Sequence, residues 1–258
     1  MHRFFVPPFS PPHAGGIKGG GTRVVLQGDA AHQISAVLRM RAGEPIVVLD
    51  DSGWEFEVRL TQVGRTEASG EILERRPAGA EPRVRLTLFQ SLLKRDSLEW
   101  VLQKCTEIGV AAFVPVVSQR TIVSRPQDVS DSKIRRWRRI VVEAAEQSRR
   151  GRLPALHPAV RFEQAVAGTG GFDLSLIPWE EEQDAGLRAA LAAVKGEQRG
   201  PLSVALFVGP EGGFAGDEVA LATAHGARPV TLGPRILRAE TAAVVAASLI
   251  LYECGELE

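Results

Sequence analysis

Leu202-Ser203-Val204-Ala205-Leu206-Phe207-Val208-Gly209-Pro210-Glu211-Gly212-Gly213 is the stretch on which the reading of this chain turns. An uncharged, mostly apolar run bounded by glycines predicts a buried strand. Glycine just past its end lets the backbone approach a bound molecule with no Cβ in the way. A second loop of the same kind, Leu232-Gly233-Pro234-Arg235-Ile236-Leu237-Arg238, follows Val230 one strand-helix unit later. In open α/β sheets, ligands sit outside the carboxyl ends of the strands, so both loops are read as ligand-facing. Either loop alone is better explained as an ordinary proline-glycine turn; it is the second one in the same setting that shifts the reading toward a site.

Outward from these loops the pattern alternates. Strands are predicted at residues 84–90, 110–117, 172–177, 202–208 and 229–232, and helices at 97–108, 132–150, 185–195, 217–224 and 239–252. The first of these helices carries Leu98, Val101, Leu102, Cys105 and Ile108 on one face, with Asp96 and Glu99 spaced as a capping box and Gly109 as a left-handed stop. Such alternation specifies an α/β domain. Residues 22–73 read differently, as short strands at 23–26, 45–49, 54–60 and 71–73 between glycines, with one helix near 30–40, which suggests a small β-barrel or sandwich. The proline- and glycine-bearing segment 76–82 is read as a linker between a domain at 1–75 and one at 83–258. Residues 7–21, rich in proline and glycine, are read as a loop.

With 258 residues and 44% hydrophobic content, the chain can bury a sizeable core. The apolar run 241–252 is too short to span a bilayer, the N-terminus lacks a signal-peptide pattern, and a cytoplasmic protein without membrane anchor is expected. Cys105 and Cys254 make neither a disulfide framework nor a thiolate site, and the five histidines are scattered, so no metal is expected. Formal net charge is zero, yet Lys133, Arg135, Arg136, Arg138, Arg139, Arg149, Arg150 and Arg152 crowd a segment whose only acids are Glu143 and Glu146. Acids gather elsewhere, as in Glu180-Glu181-Glu182. Local potential governs phosphate binding, so this helix is a candidate RNA-binding face, the alternative being a solvated surface; Trp137 within it either stacks on a base or packs inward. Arg39 and Arg41 flank the end of the predicted 30–40 helix and are further candidates for RNA contact.

The first loop lacks the Gly-Lys-Ser/Thr ending of a P-loop and does not fit Gly-x-Gly-x-x-Gly, which disfavours a nucleoside triphosphate or a dinucleotide. The second ends in Arg235 and Arg238 just before Glu240 and Thr241 open an apolar helix, making a charged pocket at a strand end. A structural Arg238–Glu240 pair is the competing reading.

At these residues the chain resembles the 16S ribosomal RNA uridine-N3 methyltransferases, a branch of the SPOUT, or trefoil-knot, class that uses S-adenosylmethionine. The likeness runs through His2-Arg3-Phe4-Phe5, residues 32–43 with Val37-Leu38-Arg39, Ser91-Leu92-Leu93-Lys94 onward to Gly109, Glu143-Ala144-Ala145-Glu146-Gln147-Ser148, residues 209–214, and residues 232–242. The 7–21 stretch stands as an insertion, and Arg149 stands where that family often has glycine.

This resemblance implies an α/β fold with a C-terminal trefoil-knotted methyltransferase domain and a small N-terminal PUA-like β-barrel, acting as a homodimer on 16S ribosomal RNA of the small subunit. It implies S-adenosylmethionine held by Gly209, Glu211, Gly212, Leu232, Gly233, Ile236 and Leu237, with Leu176, Ile177 and Pro178 forming a third loop. Uracil N3 must lose its proton before it can attack, so Arg238 is the candidate cation for the developing anion, with Glu240 or Glu211 taking the proton or orienting Arg238. The candidate RNA contacts are Arg3, Arg39, Arg41, Lys94, Arg135, Arg138, Arg139, Arg149 and Arg150. Two other functions stay open: ribose 2′-O-methylation of transfer RNA by a related enzyme, or a ribosome-assembly factor that binds RNA without catalysis.

Overall fold

The computed structural model describes residues 1–7, 23–79, 81–195 and 200–257. The expected 7–21 loop therefore lies, apart from Pro7, outside the described residues. The chain divides into two compact units: Met1–Glu81 with Ala145–Leu153, and Pro82–Ala144 with Pro154–Glu258.

The first unit is a five-stranded sheet in the order β1 (Arg3–Phe5), β3 (Pro45–Leu49), β4 (Trp54–Val63), β5 (Glu67–Pro77) and β2 (Arg23–Gln27). Only the β1–β3 pair is parallel. Strand β2 alternates exposed and buried residues, the signature of a sheet with one face on the core, and that core collects Phe4, Leu26, Ile46, Val48, Phe56 and Leu60. Register shifts between Glu57 and Val58 and between Leu60 and Gln62 mark bulges, which bend a strand and increase its twist. At Gly70 any side chain would meet the Arg59 carbonyl at 2.6 Å, so β4 and β5 approach too closely for a Cβ. The helix expected at 30–40 starts as α1 (Asp29–His32) and continues as a π-helical turn, Gln33–Val37.

The segment 145–153 belongs to this unit through charged contacts. Glu81 accepts Arg150 Nε and Nη2 at 3.0 and 2.9 Å and the backbone N–H groups of Gly151 and Arg152 at 2.8 and 3.1 Å. Arg150 is therefore a buried structural cation, 3% exposed, rather than a side chain offered to RNA. Arg3 is likewise engaged: with Arg76 it holds the Glu55 carboxylate, whose burial would raise its pKa but whose hydrogen bonds from Arg76 and Arg3 bring it below the ordinary value.

The second unit carries a parallel sheet in the order β12 (Arg228–Val230), β10 (Leu174–Pro178), β11 (Ser203–Val208), β6 (Arg85–Ser91), β7 (Ala112–Val117) and β8 (Ala155–Leu156), with β9 (Val160–Arg161) also pairing β7. Buried on both faces, its strands send alternate residues to two cores. Val204, Leu206 and Val208 join the cluster of α2 (Ser97–Ile108), α3 (Asp131–Gln147), α5 (Leu187–Lys195) and α7 (Ala239–Glu253). Ala205 and Phe207 join that of α4 (Phe162–Ala167) and α6 (Gly216–Ala224). Each buried valine, leucine or phenylalanine among them contributes on the order of 1.5–3 kcal/mol.

Two local expectations change, and a third, left open between two readings, is decided. Asp96 precedes α2 without a side-chain cap bond, and Glu99 instead accepts Arg136 Nη2 at 2.6 Å; Gly109 does close the helix at φ 112°. Helix α3 stops at Gln147, short of the predicted 150, where Arg149 turns left-handed at φ 63°. Trp137 packs inward, 1% exposed.

Candidate functional site

Strands β12, β10 and β11 are neighbours and run parallel, so their carboxyl ends lie side by side. The loops leaving them, 231–238, 179–186 and 209–215, surround a cavity of about 500 Å³, within the size range of small-molecule sites.

The first loop is made of backbone. Gly213 N–H donates to the Pro210 carbonyl at 2.9 Å, and Gly213 sits at φ 69°. A Cβ on Gly209 would stand 3.2 Å from Gly213 C and Phe214 N, so a side chain there would press on the turn. Phe214 anchors its far end against Phe162, with centroids 5.1 Å apart. Below it, Gln90 is buried at 1% exposure and donates to the carbonyls of Val208 and Gly209 at 3.4 and 3.3 Å. Arg120 holds the Gly212 carbonyl at 2.5 Å, and Glu211 accepts the Lys94 N–H at 2.8 Å.

The other two loops are laced together. Trp179 N–H donates to the Val230 carbonyl and Thr231 N–H to that of Ala185, at 3.1 and 2.9 Å. Gly233 takes φ 103°, and Thr231 Oγ1 accepts its N–H at 3.1 Å. Glu182 accepts the N–H groups of Ala185 and Asp184, which hold its carboxyl below the ordinary value. Trp179 lines the cavity with its indole N–H buried and without a hydrogen-bond partner.

Of the residues expected around the cofactor, Pro178, Gly209, Glu211, Leu232, Gly233, Ile236 and Leu237 line this cavity. Gly212 does not, its carbonyl being turned to Arg120, and Leu176 and Ile177 have their side chains in the two cores of the sheet. Arg238 and Glu240 alternate with the lining residues Leu237 and Ala239 but are not themselves in the wall; no ion pair joins them. Sequence reading placed Arg235 in a charged pocket at this strand end, and it lines the cavity; it missed Trp179, Glu180 and Glu182. The sequence signal for the first of these was an aromatic directly after Pro178 at a strand end. Among the RNA candidates, Arg135 and Arg138 are exposed on α3, Arg139 lies 3.6 Å from Glu143, and Lys94 is exposed beside the first loop. In the first unit Arg39, Arg41 and Arg149 are exposed.

A cavity of this size lined by Leu232, Ile236, Leu237 and Trp179 beside glycine-bearing loop backbone can take a small molecule that carries a heterocycle. Among the described residues no cluster of His, Cys, Asp and Glu could hold a metal, and no helix is long and apolar enough to cross a membrane.

Comparison with known proteins bears on this geometry. Residues 80–251 match the model of a family described as an RNA methyltransferase domain. The ribosomal RNA small subunit methyltransferase E of Bacillus subtilis is 33% identical over 88% of this chain and 89% of its own length. A crystal structure of the protein of the same name from Neisseria gonorrhoeae, bound to S-adenosyl methionine, superposes with a TM-score of 0.82 at 32% identity, covering 98% of this chain and 97% of that one. A methyltransferase from Legionella pneumophila, in complex with bound S-adenosylmethionine, gives 0.84 at 29% identity, with 98% and 97% covered.

Proposed function

The chain belongs to the RNA methyltransferase family, and we propose that it transfers a methyl group from S-adenosylmethionine to N3 of a uridine in 16S ribosomal RNA of the small subunit. The observation that carries this reading is the cavity at three adjacent parallel-strand ends, closed by glycine turns that present backbone rather than side chains.

When bound, S-adenosylmethionine supplies a methyl carbon on a sulfonium, so no covalent protein intermediate is required. The chain's own residues position and deprotonate. Backbone of 209–213 and 232–237, with Pro178 and Trp179, holds the donor. Arg238 stabilises charge developing on the uracil as N3 loses its proton. Glu240 or Glu211 accepts that proton; one oxygen of Glu211 is already occupied by Lys94 N–H, which leaves the other for this task. Arg135, Arg138 and Arg139 bind phosphates around the target, which must be unpaired because N3 is buried in a base pair.

The same proposal assigns residues 1–75 to a PUA-like RNA-binding domain, 76–82 to a linker and 83–258 to a trefoil-knotted SPOUT domain. Trp100 on α2 and Leu249 and Tyr252 on α7, at 43, 39 and 59% exposure, leave an apolar face that supports homodimerisation. Free cysteines are in keeping with a cytoplasmic location.

The test is to incubate the purified protein with small subunits that lack the modification and with labelled S-adenosylmethionine, then digest the RNA to nucleosides. Label in 3-methyluridine is expected. Label in a ribose-methylated nucleoside, or tight RNA binding with no label, would overturn the proposal.

A further inference from the structure

Among the described residues three carboxylates line the cavity, and two of them each give one oxygen to backbone N–H groups. Glu182 accepts the N–H groups of Asp184 and Ala185, both at 2.9 Å, and Glu211 that of Lys94 at 2.8 Å. Glu180 has neither a hydrogen bond nor an ion pair among the described residues. Its oxygens stand 3.1 and 3.2 Å from where a Cβ on Gly213 would be, beside the left-handed turn that bares the backbone of the first loop. Among the described residues Arg235 is the one cationic side chain in the wall, and it pairs with none of the three.

Glu180 is exposed at the cavity wall, and a carboxylate free of protein partners there is matched to a cation brought by the ligand, because opposite charges a few ångströms apart attract by about 1 kcal/mol or more even where water screens them. Resting on the methyltransferase reading above, we propose that Glu180 is the charge-selecting residue of the site. It is the counter-charge to the donor's sulfonium and thereby favours S-adenosylmethionine over S-adenosylhomocysteine. The donor's ammonium travels with its own carboxylate as counter-charge, whereas the sulfonium has none. On transfer the carbon–sulfur bond breaks with its electron pair staying on sulfur, the N3–carbon bond forms, and the N3 proton passes to the base. Sulfur goes from positive to neutral, and the ammonium and carboxylate are unchanged. The attraction to Glu180 ends at that moment, which loosens the product and leaves the site ready for the next donor.

Calorimetric titration of each ligand into wild type, Glu180→Gln, Glu180→Asp and Glu181→Gln tests this without any turnover. Glu180→Gln is expected to weaken S-adenosylmethionine about tenfold and S-adenosylhomocysteine less than about twofold. Glu180→Asp, with its charge kept on a shorter arm, falls between. Glu181, exposed and outside the cavity wall, serves as control, and its variant leaves both affinities unchanged. Raising the salt concentration narrows the wild-type preference and not that of Glu180→Gln. Retained product binding shows that the variant is folded. Equal loss of both ligands in Glu180→Gln, or no loss of either, overturns the proposal while leaving the methyltransferase reading intact. Wild type that binds neither ligand overturns that reading, and this proposal with it.

Discussion

Two regions solve the problem of fixing a loop by opposite means. In the second unit, the cavity loops are shaped by backbone: Gly213 at φ 69° and Gly233 at φ 103° allow turns that no Cβ would tolerate without strain, and their hydrogen bonds run mostly through main-chain groups. In the first unit, the 145–153 segment is fixed by charge, with Glu81 gathering Arg150 and two backbone N–H groups while Arg149 accepts a left-handed conformation without being glycine. A backbone-built site keeps its shape whatever surrounds it, but forbids side chains. A charge-built one tolerates bulk, but fails if either partner is removed. The difference says which substitutions hurt binding and which hurt stability.

The largest effect is expected where the charge-built seat is cut. Glu81→Ala removes the carboxylate that accepts buried Arg150 and the N–H groups of Gly151 and Arg152, and should lower unfolding free energy by about 3 kcal/mol in denaturant titration, with S-adenosylmethionine affinity little changed in the folded fraction. A small loss would mean that the seat is dispensable. Next, Arg238→Ala should slow methyl transfer about a hundredfold while leaving donor affinity within about twofold; parallel loss of both would remove Arg238 from the chemistry. Gly213→Val forces a β-branched residue into a positive φ beside Glu180 and should weaken donor binding about tenfold with a modest change in melting temperature, the reverse of the Glu81 pattern.

Neutralising Arg135, Arg138 and Arg139 together should flatten the slope of log affinity against log salt for RNA by about 2–3, with donor binding untouched; an unchanged slope returns α3 to a plain solvated surface. Smallest of all, Arg149→Gly should stabilise the protein by about 0.5–1 kcal/mol in the same denaturant titration, because glycine takes φ 63° without strain. Destabilisation instead would show that the Arg149 side chain contributes more than its backbone strain removes.

What was legible in the sequence follows the same division. Strand β11, helix α2 and the apolar α7 were readable because their signals are local: an apolar run, a helical face, a glycine stop. The two glycine loops were readable for the same reason. The order of the parallel strands was not, since β12 joins the sheet next to β10 and across from β11, the strand before it, and nothing within any one strand records its neighbours. That is why Trp179 and Glu180 went unnoticed: a Trp-Glu-Glu-Glu run reads as solvated surface until β10 is placed between β12 and β11. Arg150 misled in the opposite direction, one basic residue among many in the sequence and a buried ion pair in the fold. The Asp96 box failed because Glu99 found a stronger, distant partner in Arg136.

Helix α3 is one unbroken run from Asp131 to Gln147, yet the division between the units falls inside it, after Ala144. As an evolutionary module, the first unit is therefore not a detachable N-terminal cassette. A recombination event that exchanged residues 1–81 alone would carry Glu81 without Arg150, Gly151 and Arg152, so exchanging the whole unit needs three crossovers, after Glu81, after Ala144 and after Leu153, the second of them within a helix.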